Sequence, residues 1–406
     1  MDKKATRNFA WKIMVLAAVI VILIASLTLV PKLTSNAQIP QAEPFNLSAL
    51  PELELPDSRI IAIGTPTHGN TEPIRVTLDI LKRVYEKYGA VACILEEIAG
   101  EAEIINRQHS YTKEDGSKAG MYLVYDNAEI SDILNWLEKT NQRLYGIDIQ
   151  SIFATVMILR ENLDELKFHN AERVLNLSAS SNQQIEQNIL FLDEIEKFIG
   201  EQLSEGKISE RDSAYLLHLS DCVRMNYDYV LSGYSFSVRD EMMAKNVEWI
   251  MDYERAYFDN ERAVLFASNG HIIKSAWSYT FSEEVYSPMG SLLAKRYGED
   301  YYAILTDARE NYFEASTNMK NAANKKVFHI FNDSPAPADS GSNVSLILSG
   351  DCGPGESQER KLVIVGSVFT GFRALRDKYY TAWISPEESC DALLYFDLMT
   401  PVRKAD

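Results

Sequence analysis

Short apolar runs alternate with helical periodicities along the chain. Runs of the buried-strand type fall at Ile60–Ile63, Val91–Leu95, Leu144–Ile147, Ala263–Ala267, Tyr301–Leu305, Lys361–Val365 and Ala392–Phe396. Unbroken apolarity over four or five residues suits strands covered on both faces. Between the early runs lie the helical patterns Glu72–Tyr88 and Ala99–Gln108. Strand–helix alternation of this kind predicts a parallel sheet. From Asp148 to about Glu261 a 3.6-residue period dominates, as in F-L-D-E-I-E-K-F-I, and there is no proline between Pro73 and Pro288. The expected fold is α/β, with a mainly parallel β-sheet core flanked by helices and a large all-helical insertion at about 150–260. Residues 333–360, rich in Ser, Gly, Pro and Asp, read as a surface excursion.

The N-terminus has a different pattern. Ile13–Val30 carries no charge and follows Lys3, Lys4, Arg7 and Lys12. Eighteen apolar residues can span a bilayer, and the preceding cations keep the N-terminus in the cytoplasm. Residues 1–37 are therefore expected to be a transmembrane anchor or a signal peptide cut near Ala37, after the small-residue stretch Ser35-Asn36-Ala37. Either reading exports the rest, and the anchor makes the membrane a partner. Residues 38–58, with Pro40, Pro44, Pro51 and Pro56, read as an extended linker, and residues 59–406 as the catalytic domain.

Composition narrows the partners. The 406 residues carry a formal charge of −18, and because the first 37 are cationic the remainder is more acidic still. Such a chain repels a phosphate backbone, so nucleic acid is not expected and a small molecule is. Four cysteines fit an exported protein. Cys93 lies in an apolar run and Cys222 in a helical pattern; if any pair is bridged, it is Cys352 with Cys390.

Polar residues gather where the strands end. The first run closes in Gly64-Thr65-Pro66-Thr67-His68-Gly69, the second in Glu96-Glu97, the third in Gly146-Ile147-Asp148, and the fourth in Ser268-Asn269-Gly270-His271. In an open parallel sheet these carboxyl ends form one rim, where ligands bind. An imidazole there can take a proton from water near neutral pH if a carboxylate fixes its tautomer. His68 and His271 are thus candidate acid–base groups, with Glu96 to orient His68. Arg239 is a candidate to hold a carbonyl oxygen or a carboxylate. Each also has a structural reading: His68 and His271 as turn residues, Glu96-Glu97 as a solvated strand end, Asp148 as a helix N-cap, and Arg239-Asp240 as a charge pair at a helix start.

Common nucleophile and cofactor devices are absent. There is no G-x-S-x-G, P-loop, G-x-G-x-x-G after the first strand, H-E-x-x-H or C-x-x-C. Attack by an activated water fits better than a covalent serine. No cofactor is expected. Two histidines with nearby carboxylates could hold a divalent ion, but no spacing demands a metal.

The run G-T-P-T-H-G, then C-I-L-E-E-I-A-G-E-A-E-I-I-N, Y-G-I-D, R-D-E-M-M-A-K-N-V-E-W-I and V-L-F-A-S-N-G-H-I resembles the erythromycin esterase family, from about residue 58 to 402. The resemblance implies an α/β core and, in active members, a hydrolase that opens a macrolide lactone. It implies catalytic roles for His68, Glu96, Arg239 and His271, with Asn269, Asp148, Glu97 and Arg75 as substrate-binding candidates. Two departures stand out. The family's first motif reads G-E-x-x-H, whereas Thr65 replaces the glutamate, and the arginine expected nine residues after the histidine is Thr77, with Arg75 two places earlier. Three readings follow: an exported hydrolase of an ester or similar carbonyl, a relative that binds a ligand without turnover, or a metal-dependent enzyme.

Overall fold

The computed structural model describes residues 55–108, 125–179, 181–317, 324–334, 344–348 and 359–404, with residues 14–16, 18–21 and 39 of the N-terminal segment. The main sheet contains β1 (Ile60–Thr65), β2 (Ala92–Ile98), β3 (Leu144–Asp148), β4 (Ala263–Ser268), β5 (Tyr301–Ser316), β6 (Lys325–Phe331), β7 (Val344–Leu348) and β10 (Ala392–Met399). Its order is β3-β2-β4-β1-β5-β10-β7, with β6 paired to the far half of β5. Strands β3 through β10 along this path are parallel; β7 and β6 are antiparallel to their neighbours. The chain runs outward from β1 to β2 and β3, then returns to insert β4 between β2 and β1. The rim at β1 and β4 is therefore a point where strand order reverses, the usual ligand crevice of such sheets.

Alternation along β1 explains how both faces are filled. Ile61 and Ile63 pack with Ile74, Leu81 and Val84 of α1 (Thr71–Tyr88) and with Ile133 and Leu137 of α3 (Ala128–Thr140), while α2 (Ala99–Gln108) follows β2. Ile60 and Ala62 face the other way, onto Met243, Val247 and Ile250 of α7 (Phe236–Phe258). Each of the larger side chains contributes about 1.5–3 kcal/mol on burial. Between β3 and β4 come α4 (Phe153–Glu165), α5 (Asn182–Ser204), α6 (Glu210–Leu231) and α7. The first three share a separate core of Leu159, Leu192, Ile195, Leu219 and Val223.

Three sequence expectations need correction. The run at 361–365 does not join the main sheet: β8 (Arg360–Val363) pairs antiparallel with β9 (Thr381–Ile384) in a two-stranded sheet. The segment 333–360 is not wholly a surface excursion, because V-S-L-I-L forms β7 and takes the open edge of β10. The strand expected at Tyr301–Leu305 also runs on to Ser316, since β6 pairs with residues whose charges obscure any apolar run. Among the described residues no helix is long and apolar enough to cross a membrane, and most of the apolar run 13–30 lies outside them. Cys93 and Cys222 are buried thiols, and burial pushes Cys93 up to about 12. The bridge of Cys352 to Cys390 lies outside the described residues, because residue 352 does.

Candidate active site

The turn after β1 is held by its own polar side chains. Thr65 donates its hydroxyl to the Thr67 carbonyl, the Thr67 hydroxyl donates to Asn70 Oδ1 at 2.8 Å, and the Gly69 amide donates to Thr67 Oγ1 at 3.2 Å. Neighbouring elements clamp it. Val365 N donates to the Pro66 carbonyl at 2.8 Å, while Glu314 N and Val402 N reach the Gly69 carbonyl at 3.2 and 3.0 Å. Residue 69 must be glycine here, because a Cβ would sit 1.8 Å from the Glu314 carbonyl oxygen. His68 is thus presented by a fixed turn, and it is only 8% exposed. Thr65, in the place of the family's glutamate, is used to close that turn.

Glu96 is the hub. The pairing of β2 with β3 shifts register between Leu95 and Ile98, a bulge that re-aims side chains at the strand end. Gly146 admits it, since a Cβ there would lie 2.5 Å from the Glu97 and Ile98 carbonyls. Both glutamates are buried, so the solvated strand-end reading does not hold. Glu96 Oε1 accepts from Arg239 Nη2 at 2.8 Å and lies 3.3 Å from His271 Nε2. Its Oε2 accepts from Ser268 N at 2.9 Å and lies 3.7 Å from His68 Nε2. Burial works against the Glu96 charge, but His271, His68 and Arg239 together outweigh it and hold the carboxyl well below the usual range.

The first turn of α7 supplies two opposed groups. Arg239 meets Asp148 in a fork, Nε to Oδ1 and Nη2 to Oδ2, both at 2.8 Å. Asp240 lies 2.7 Å from His271 Nδ1 and accepts from Met289 N at 2.8 Å, where α9 (Met289–Tyr297) begins. His271, on the short helix α8 (Asn269–Ile272), stacks under Phe236 with centroids 4.8 Å apart. Burial lowers the His271 pKa, yet Asp240 and Glu96 raise it to about 9. Arg239 Nη1 lies 3.1 Å from His271 Nε2, which is a hydrogen bond only if that nitrogen is bare. Two carboxylates outweigh one guanidinium, so we assign His271 as imidazolium, with Arg239 packed beside it.

His68 is the opposite case. Burial lowers its pKa, against Glu96, and keeps it neutral. Glu96, Asp148 and Asp240 surround the Arg239 guanidinium and the His271 imidazolium. His68 Nδ1 has no hydrogen-bond partner among the described residues. Nδ1 is therefore the atom on which a neutral His68 can take a proton.

The structure brings His68, Glu96, Asp148, Arg239 and His271 together; the other candidates lie apart. Asn269 donates to the Thr306 and Val363 carbonyls at 2.8 and 3.3 Å, stitching β4 to its neighbours. Glu97 accepts from the Ile98 amide at 2.8 Å. Arg75 is half-buried on α1, where its charge acts on Glu72. Thr77 is buried and donates to the Pro73 carbonyl at 2.8 Å, so nothing replaces the family's arginine there. His218 stacks on Trp249 at 3.5 Å and His329 on Tyr312 at 4.0 Å, both remote in their contacts from the cluster. Sequence reasoning missed Asp240 as the partner of His271, though it stands beside Arg239. It also missed Tyr125, fully buried with its ring edge-on to His68 at 5.8 Å. Among the described residues no three His, Cys, Asp or Glu side chains are disposed to hold a metal ion.

A family model described as erythromycin esterase matches residues 86–340, more than half of the chain. Three solved structures are similar over most of their length and of this chain's. A Bacillus cereus protein is 18% identical, with a TM-score of 0.68, over 86% of this chain and 90% of its own. A succinoglycan biosynthesis protein is 12% identical, with a TM-score of 0.62, over 93% and 98%. A histidine-to-asparagine mutant of the erythromycin esterase EreC, in its open conformation, is 18% identical, with a TM-score of 0.59, over 86% and 92%. At these identities the likenesses show the fold. No curated protein matches at the sequence level.

Proposed function

The chain belongs to the erythromycin esterase family, and from that premise we propose that it is a hydrolase in which His68 activates water to attack an ester, a lactone or a similar carbonyl. The observation that carries this is Nδ1 of a buried, neutral His68, without a partner among the described residues, with the Glu96 carboxylate behind Nε2. Glu96 lies behind Nε2 and stabilises the imidazolium that forms. Water's oxygen bonds to the carbonyl carbon as its proton passes to Nδ1. The tetrahedral intermediate then expels the alkoxide, which takes that proton from His68. Arg239 and His271 hold Glu96 ionised and oriented, so their part is positioning.

Residues 38–406 incubated with p-nitrophenyl esters and simple lactones should release acid, and His68→Ala should abolish it. Turnover that survives His68→Ala would refute the mechanism. Thr65 favours a second reading, a ligand-binding relative without turnover, because its hydroxyl closes the turn and cannot brace an imidazolium. In that case the panel stays silent while ligands raise the melting temperature.

The substrate is then a small molecule met outside the cytoplasm, with residues 1–37 as anchor or cleaved leader. What supports this is the charge-flanked apolar run Ile13–Val30 alone. Protease added to intact cells should digest the domain if it is exported; a protected domain would sink the localisation.

A further inference from the structure

Stabilising an oxyanion needs a donor that is not already committed. Arg239 gives Nε and Nη2 to Asp148 and Glu96, and Nη1 packs on His271. His271 is held between Asp240 and Glu96. The Asn269 amide serves backbone carbonyls, the Thr65 hydroxyl serves Thr67, and the Ser268 amide serves Glu96. Two buried polar atoms of the site have no partner among the described residues: His68 Nδ1 and the Tyr125 hydroxyl. Tyr125 is fully buried, its ring edge-on to the imidazole of His68 at 84° and packed against Phe266. A buried hydroxyl left unsatisfied is costly, and such a group in a folded protein calls for a reason.

We propose that Tyr125 is a catalytic residue whose hydroxyl donates the hydrogen bond that stabilises the oxyanion of the tetrahedral intermediate. This rests on the hydrolase reading above. As water's oxygen bonds to the carbonyl carbon and its proton moves to His68 Nδ1, the carbonyl π pair shifts to oxygen, which accepts from Tyr125. On collapse that pair re-forms the carbonyl, the carbon–alkoxide bond breaks, and His68 returns the proton to the alkoxide. Burial and the charges of Glu96, Glu97 and Asp148 push the Tyr125 pKa far up, so the phenol stays protonated throughout. The two groups sit on neighbouring rings with centroids 5.8 Å apart.

The test compares wild type, Tyr125→Phe and His68→Ala on the ester cleaved fastest in a p-nitrophenyl ester and lactone panel. Tyr125→Phe should lower kcat by about 10²–10³ with little change in KM, the effect of losing one oxyanion donor. Its melting temperature should not fall, because the hydroxyl has no hydrogen-bond partner among the described residues. Fluorotyrosine at position 125, a more acidic donor, should shift kcat while leaving KM unchanged. If Tyr125→Phe keeps wild-type kcat while His68→Ala is dead, the inference is overturned and the hydrolase reading stands. A lower melting temperature with kcat and KM lost together would assign Tyr125 a structural role and overturn it as well. A wild type silent on the whole panel overturns the hydrolase reading, and this inference with it.

Discussion

Arg239 and Asp148 form a two-bond fork across the rim of the sheet, with both contacts at 2.8 Å and both side chains buried. The fork joins the first turn of α7 to the end of β3, so it sets the helical block against the strand ends. Removing one partner of a buried pair leaves the other charge uncompensated, at a cost of about 3–5 kcal/mol. Arg239→Ala should therefore lower unfolding stability by that amount in a urea titration. Arg239→Lys restores the charge but not the planar fork, and it should recover part of the stability and little of the activity. Full activity in Arg239→Lys would show that orientation of Glu96 is not needed.

The two histidines give opposite pH signatures. His68 is depressed below its usual 6.5 and must be neutral to act, so kcat/KM should rise with pH through a midpoint below 6.5 and then level off. His271 is raised to about 9 in the fold. Its contribution to stability is complete below the unfolded pKa of about 6.5 and is lost as pH rises through about 9. Melting temperature should thus decline on the alkaline side while activity is still flat. In His271→Gln that alkaline decline should be smaller; an unchanged profile would place the titration elsewhere.

Gly69→Ala tests the fixed turn. The added methyl would meet the Glu314 carbonyl oxygen at 1.8 Å, and because the nearest atoms are all Glu314 backbone no flexible side chain can move aside. Loss of the Glu314 and Val402 hydrogen bonds should cost about 1–3 kcal/mol, with activity falling by at least tenfold as His68 is displaced. A variant with wild-type melting temperature and turnover would refute the close approach.

Glu72 holds the backbone and hydroxyl of Thr400 at 2.9 and 2.6 Å, at the N-terminus of α1. Burial raises its pKa to about 7, although both hydrogen bonds to Thr400 oppose this. A carboxyl whose folded pKa is raised binds its proton more tightly in the fold, so its penalty grows as pH rises from about 4.5 to 7. Glutamine can accept from the amide and donate to the hydroxyl without that penalty. Glu72→Gln should be more stable than wild type at pH 8, by about 1–3 kcal/mol, and should lose the advantage at pH 4.5. Equal stability at both pH values would contradict the burial cost.

The rim was legible in the sequence because buried parallel strands are short apolar runs, and the polar residues that end them stand out. His68, Glu96, Asp148 and His271 were found that way. Direction is what the sequence hides. Asn269 and His271 follow the same strand two residues apart, yet one amide is spent on carbonyls and the other side chain enters the cluster. Arg239 and Asp240 are adjacent on one helix turn, and only the packing of α7 sends one to Asp148 and the other to His271. Tyr125 follows a stretch with neither period nor motif, and nothing local marks it. The strands β6, β7 and β9 were missed for a related reason, since they lie among charges or turn residues and owe their form to partners across the sheet.

The turn that carries His68 depends on a part of the chain made much later. Gly69 accepts from Val402, and Thr71 bonds to the backbone of Thr400 and Pro401, the last contact spanning 330 residues of sequence. Until those residues are made, the turn has only its contacts with Glu314 and Val365. Placement of His68 therefore waits on residues 400–402, and ribosome-stalled chains stopped before β10 should be inactive.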